Sequence, residues 1–107
     1  HVTFKENIPS LEQIKSIWTD FKGIPQHQNL PMAPKRPIIY FEEENRPQPK
    51  RDCDLEKGMA VSAGRLADAK FFDIRYVSLS HNTVRGAAGG AILLGELLVN
   101  QGYIHGK

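Results

Sequence analysis

Among 107 residues the sequence has one cysteine, Cys53. No internal disulfide can form, and the chain suits a reducing, cytoplasmic compartment. An apolar run long enough to cross a bilayer is also missing. The longest candidate, Ala87 to Val99, is broken by Glu96, so no membrane span is expected. Charge of one sign is scarce: 14 basic against 12 acidic residues leave +2. That is too little, and too scattered, to point to nucleic acid. Internal repeats, low-complexity tracts, and signal or lipidation patterns are absent. His27 has no partner at metal-ligand spacing, which makes it a surface residue and leaves no metal site expected. A start at His1 rather than methionine is expected to reflect trimming or a tag.

What remains is a chain for one domain with a modest core. Its 40% apolar and 24% charged residues are ordinary for a globular protein. Val2 to Lys5 is expected as a short strand. Ser10 with Gln13 has capping-box spacing, and Leu11, Ile14, Trp18 and Phe21 recur on one helical face. This predicts a helix over Ser10 to Phe21, with Trp18 in the core and Gly23 as the stop. Ile24 to Pro37 holds four prolines and reads as an irregular connection. Ile38 to Phe41 is an apolar run of β-formers. Arg46 to Arg51 carries two prolines and reads as extended. Its cations fit either an anion site or a solvated loop balanced by the neighbouring acids. Gly58 to Leu66 and Lys70 to Leu79 predict a hairpin turning at Ala67 to Ala69. In the second strand, Phe72, Ile74 and Tyr76 share one face. The fold expected is α+β, a mixed or antiparallel sheet covered by a helix and followed by a long C-terminal helix.

The chain is organised around Ser80-His81-Asn82-Thr83-Val84-Arg85-Gly86-Ala87-Ala88-Gly89-Gly90. A strand enters this stretch, and an apolar helix leaves it near Val84 to end near Gln101. Asn82 and Thr83 are both good N-caps, and Gly102 supplies a left-handed stop. Glycine costs about 1 kcal/mol relative to alanine within a helix, so something must approach Gly86, Gly89 and Gly90 closely. A ligand drawn to the free N–H groups and positive end of the helix is one explanation; tight helix–sheet packing is the other. Ala88, Ala91, Ile92, Gly95 and Val99 form one apolar face, extended by Leu94, Leu97 and Leu98. A helix so nearly apolar all round is expected to be covered on more than one side, so the chain is expected to be a homo-oligomer, dimer or tetramer.

This stretch, with the helix ending Gln101-Gly102-Tyr103-Ile104, resembles the C-terminal end of the aspartate-semialdehyde dehydrogenase family, in its archaeal and fungal branch. Ala33-Pro34-Lys35, Arg46-Pro47-Gln48-Pro49-Lys50 and Gly58-Met59-Ala60-Val61-Ser62-Ala63-Gly64-Arg65 carry the same resemblance. It implies roughly the last third of such an enzyme, with part of a glyceraldehyde-3-phosphate dehydrogenase-like C-terminal domain. Residues 1–80 would belong to the catalytic and dimerisation domain, and 81–107 would form the final turn and helix returning to the NADP-binding domain. The Arg46 to Arg51 segment would then be a packed connector beside the dimer interface.

The family interconverts L-aspartyl-4-phosphate and L-aspartate 4-semialdehyde with NADPH and phosphate, on the route to lysine, threonine and methionine. It uses a cysteine nucleophile and a histidine proton shuttle. Cys53, between Asp52 and Asp54 in an acidic loop, is not in the family's nucleophile setting, and neighbouring carboxylates disfavour a thiolate. His1 lacks the Asp-Gly that precedes the family's histidine, His81 reads as structural, and His105 lies in the tail. The phosphate loop of the dinucleotide fold is missing; Gly86 to Gly90 has the wrong spacing. No catalytic residue is therefore assigned, and the segment alone is expected to be inactive and not to bind NADP. The resemblance gives Asn82 and Thr83 to the nicotinamide end of NADP and Gly86 to the close-packed helix start. Its rivals are a non-enzymatic dimerisation module of the same ancestry and a small basic anion-binding module.

Overall fold

The computed structural model describes residues 1–106. Ser10 begins helix α1 (Leu11–Asp20) with a complete capping box: its hydroxyl accepts from Gln13 N–H while the Gln13 side chain accepts from Ser10 N–H. The helix stops at Asp20 with Phe21 as C-cap; Phe21 is exposed rather than part of the packed face. Gly23 does not stop α1 but precedes a single turn, α2 (Ile24–His27). The rest of the proline-rich connection is irregular, and His27 is exposed.

Three strands follow: β1 (Ile38–Phe41), β2 (Val61–Asp68) and β3 (Ile74–Ser80). Their order is β1-β2-β3, with β1 parallel and β3 antiparallel to β2, so the sheet is mixed. Ile14 on α1 packs on Leu66 and Ile74, with Leu11, Trp18 and Tyr40 around them. Trp18 lies edge-on to Tyr76 at 4.9 Å. One face of the sheet is thus closed by α1, as the helical periodicity predicts.

The hairpin turn lies later than its sequence suggests. Residues 69–73 form a loop because Asp73 is engaged by the N-terminal segment: its carboxylate accepts from Phe4 N–H at 2.7 Å and its own N–H bonds Val2 O. Phe71 and Phe72 are consequently exposed rather than part of β3. Val2 makes one bridge, to Ile74, instead of the expected strand over Val2 to Lys5. A bulge between Gly64 and Ala67, where Arg65 has φ 55°, returns Leu66 to the α1 face.

The opposite face is crossed by the Arg46 connector. It is not extended throughout, since Pro49–Asp52 forms a helical turn, α3. Nor is it solvated. The side chain of Asp52 is fully buried, takes both an Nε–H and an Nη–H bond from Arg46, and accepts Gln48 N–H at 2.6 Å. Arg46 also lies 4.3 Å over the Phe41 ring. Arg46, at the head of the connector, is neutralised internally and packed, while Lys50 and Arg51 stay exposed.

Residues 84–88 form a π turn that leads into helix α4 (Gly89–Asn100). Leu93, with Leu97 beside it, packs on Leu30 and Met59, flanked by Met32, Ala33 and Val84. The Glu96 carboxylate accepts from Met32 N–H at 2.9 Å. The other apolar side is open: Ile92, Leu94 and Val99 are 52–57% exposed. Gly102, at φ 80°, ends the helix as expected. No helix among the described residues is long and apolar enough to cross a membrane.

Two measurements check this packing. Arg46, followed by burial and the Gln48 N–H, sets the Asp52 acidity, and the net effect holds its carboxyl below the ordinary carboxylate range. A lowered native value means the pair stabilises above about pH 4 and that this contribution disappears as pH falls through the native value. Thermal melts from pH 7 to 2 should fall steeply below about pH 4 for the native sequence, and Asp52→Asn should be less stable at pH 7 with a shallower acid limb. A second test lies at Gly89, where a Cβ would sit 2.5 Å from Met59 Sδ and 2.9 Å from Val84 O. Overpacking costs about 1–3 kcal/mol, against the ~1 kcal/mol alanine gains over glycine in a helix. Gly89→Ala should therefore lower the melting temperature; a rise would refute the contact.

Candidate functional site

β3 ends at Ser80 and delivers His81, Asn82 and Thr83 to the surface. The backbone then winds wide. Gly86 N–H bonds His81 O at 3.0 Å and Ala88 N–H bonds Thr83 O at 3.1 Å, while Gly89 N–H bonds Val84 O. These are bonds to the fifth preceding residue, the π pattern. The helix head is therefore not an open ring of donors, as a phosphate cradle would be.

Neither expected N-cap acts as one. Thr83 is already helical in φ and ψ and caps through no side-chain bond. The cap is His81: its Nδ1 lies 3.2 Å from Val84 N and accepts that N–H. Thr83 Oγ1 sits 3.3 Å from the same nitrogen, and Nε2 is 3.6 Å from Asp54 Oδ1. The structural reading of His81 thus has a specific form that residue type did not reveal. The only signal was spacing, since an acceptor three residues before a helical N–H is the N-cap pattern.

With His81 holding the helix, Asn82 is left exposed, and among the described residues nothing bonds its carboxamide. Gly86 is exposed too. A Cβ there would meet nothing nearer than His81 O at 3.7 Å and Asn82 Oδ1 at 3.8 Å. Within this chain nothing crowds Gly86, and the close contact is made at Gly89, against Met59, which is 2% exposed. Asn82, Thr83 and Gly86 do share one outward turn: a free carboxamide, a hydroxyl and a strip of bare backbone. This suits a neutral polar group such as an amide better than a phosphate.

The other candidates stand apart. Cys53 closes α3, its N–H bonded to Pro49 O, rather than opening a helix as a nucleophile would in the family. His1 stacks on Phe72, and His105 is exposed. Among the described residues no group of three or more His, Cys, Asp or Glu could hold a metal. Sequence reasoning missed Glu96 as a partner of Met32. Its signal was present, as the one charge in an apolar helix.

No protein-family model matches the chain. Individual proteins do. Aspartate-semialdehyde dehydrogenase from Aspergillus fumigatus is 44% identical over 99 residues, which is 90% of this chain and 27% of the relative. Malonyl CoA reductase (NADP) from Metallosphaera sedula is 48% identical over 106 residues, 97% of this chain and 29% of the relative. A crystal structure of aspartate-semialdehyde dehydrogenase with NADP from Candida albicans superposes with a TM-score of 0.85 at 35% identity, covering 95% of this chain and 29% of that one. The chain thus spans little more than a quarter of the length of the relatives it matches. Sequence and fold agree over that span, and together they place this segment in the aspartate-semialdehyde dehydrogenase family.

Proposed function

We propose that this chain is the C-terminal segment of an NADP-dependent aspartate-semialdehyde dehydrogenase, and that its turn at Asn82, Thr83 and Gly86 faces the nicotinamide end of the cofactor. The observation that carries this is the match itself: nearly the whole chain aligns, in sequence and in fold, with a structure solved with NADP. The turn fits the role. Its carboxamide is unpaired and its backbone bare, and single-turn π helices are rare elements often found at functional sites. NADPH, when bound, supplies the hydride. This chain's own part is to orient: Asn82 can exchange hydrogen bonds with the nicotinamide carboxamide, and Gly86 leaves room for the ring to approach.

On this reading residues 1–80 belong to the catalytic and dimerisation domain, and 81–107 return to the NADP-binding domain. The nucleophile, the proton shuttle and the phosphate loop come from elsewhere in the polypeptide, so the isolated segment is inactive. The reaction is the reversible conversion of L-aspartyl-4-phosphate to L-aspartate 4-semialdehyde with release of phosphate, serving lysine, threonine and methionine biosynthesis in the cytoplasm. The shape supports a need for further contacts. The radius of gyration is 16.0 Å, against about 13 Å for a compact domain of this size. The open apolar face of α4 supports assembly as a homo-oligomer within the larger enzyme.

The malonyl CoA reductase relative supports a second reading, in which the same cofactor reduces a thioester instead of an acyl phosphate. Full-length enzyme containing this segment separates the two. Oxidation of aspartate semialdehyde with NADP and phosphate is expected; reduction of malonyl-CoA without that activity would establish the second reading. In that enzyme Asn82→Ala should raise KM for NADP several-fold, the loss of one hydrogen bond worth about 0.5–1.5 kcal/mol. Gly86→Ala should also raise it, with no fall in melting temperature, because its Cβ meets only ordinary contacts. Unchanged NADP kinetics in both variants would overturn the placement of the turn.

A further inference from the structure

Within that turn, the group with the most partners is not one that would touch the cofactor. It is the His81 ring, half-buried between the end of β3 and the head of α4. We propose that His81 is the positioning residue of the turn: a neutral ring protonated on Nε2, which caps α4 through Nδ1 and so fixes the direction in which Asn82 and Thr83 face. The inference rests on the cofactor reading above for its functional consequence, and on geometry alone for the cap.

Hydrogen-bond chemistry dictates the tautomer. Val84 N–H can only donate, so Nδ1, 3.2 Å away, must carry a lone pair. The proton of a neutral ring is then on Nε2, the nitrogen directed at Asp54 Oδ1, 3.6 Å away. The negative carboxylate favours a proton on that side and disfavours the alternative tautomer. Thr83 Oγ1 at 3.3 Å can donate to the same Nδ1 lone pair, drawing the second of the two turn residues into the arrangement.

The ring is also walled in. Glu56, Lys57 and Gly58 are three consecutive residues of positive φ, at 52°, 57° and 81°, a conformation costly for any residue but glycine. Their contortion brings the Gly58 backbone under the site. A Cβ there would lie 3.3 Å from His81 Cδ2 and 3.1 Å from Val84 Cβ. Glu56 is held in place from outside the turn, its carboxylate accepting from Lys35 N–H at 3.0 Å. The ring is thus held by the Val84 donor on one side and backbone beneath, with the Asp54 carboxylate near its other nitrogen at 3.6 Å. Asn82 follows it directly in sequence, so its direction is set by a residue that needs no contact with the cofactor.

The test compares two isosteric replacements in the full-length enzyme. Asparagine places a carboxamide oxygen near the position of Nδ1 and can keep the cap. Glutamine places its nitrogen near Nε2 and loses it. His81→Asn should leave KM for NADP nearly unchanged. His81→Gln should raise it roughly five- to tenfold, the scale of one lost hydrogen bond, with kcat little altered. Nitrogen-15 NMR of histidine-labelled protein should show the His81 signal, assigned by its loss in His81→Asn, with Nδ1 bare and Nε2 protonated. A ring protonated on Nδ1, equal KM values in the two variants, or no KM change in either would overturn the proposal. Failure of the cofactor reading looks different: Asn82→Ala would then leave NADP kinetics untouched, and the cap would stand or fall on the tautomer and on the melting temperature of His81→Asn relative to His81→Gln.

Discussion

Met59 Sδ lies where a side chain on Gly89 would have to be, and the placement of the last helix depends on that contact. α4 is not laid across the sheet. It is held by a small second core of Leu30, Met59 and Leu93, drawn from the proline-rich connection, the segment before β2, and the helix. A bare glycine lets the helix backbone come down onto a buried thioether that adapts to an irregular gap. Move that contact, and the π turn, the His81 cap and the outward face of Asn82 move with it. The site residues are thus exposed, while the contact that seats the helix, Met59 against Gly89, is buried.

Charge placed inside this small body is given a partner of matching geometry, although the buried Ser62 hydroxyl has none among the described residues. Asp52 is the clearest case, a carboxylate fully removed from water yet bonded by Arg46 and a backbone amide. Breaking such a pair by removing one partner is far more harmful than never having had it. Glu96 does the same work more cheaply, joining α4 to the backbone of Met32 at the edge of the second core. Both acids look ornamental in the sequence, one in a run of alternating charge and the other breaking an apolar helix.

Much of the fold was legible because local signals agreed with tertiary demand. The capping box at Ser10, the apolar run Ile38 to Phe41 and the stop at Gly102 each need only a few neighbours to act. The misplacements share a cause. β3 starts at Ile74 because Asp73 is claimed by Phe4, 69 residues away in sequence; no local pattern carries that. Likewise, Gly86 and Gly89 look alike in a glycine-rich run, and only the position of Met59 separates the required glycine from the unconstrained one. When nearly every side of a helix is apolar, periodicity cannot say which side faces the body; here Leu93 is buried and Ile92 is open.

The two kinds of relative sharpen what a segment of this size can encode. One is named for aspartate semialdehyde and the other for malonyl CoA, yet both align with almost all of this chain at similar identity. Whatever distinguishes an acyl phosphate on an amino acid from a thioester of a dicarboxylic acid must differ between the two, whereas NADP appears in the name of one and in the solved structure of a relative of the other. A shared segment should carry the shared requirement. The outward turn matches that expectation: it offers an unpaired amide and bare backbone, which suit a cofactor's uncharged carboxamide, with Arg85 as its one cation. On the proposed reading, substrate choice belongs to the parts of the polypeptide that supply the nucleophile, and this segment would contribute the placement of the cofactor against it.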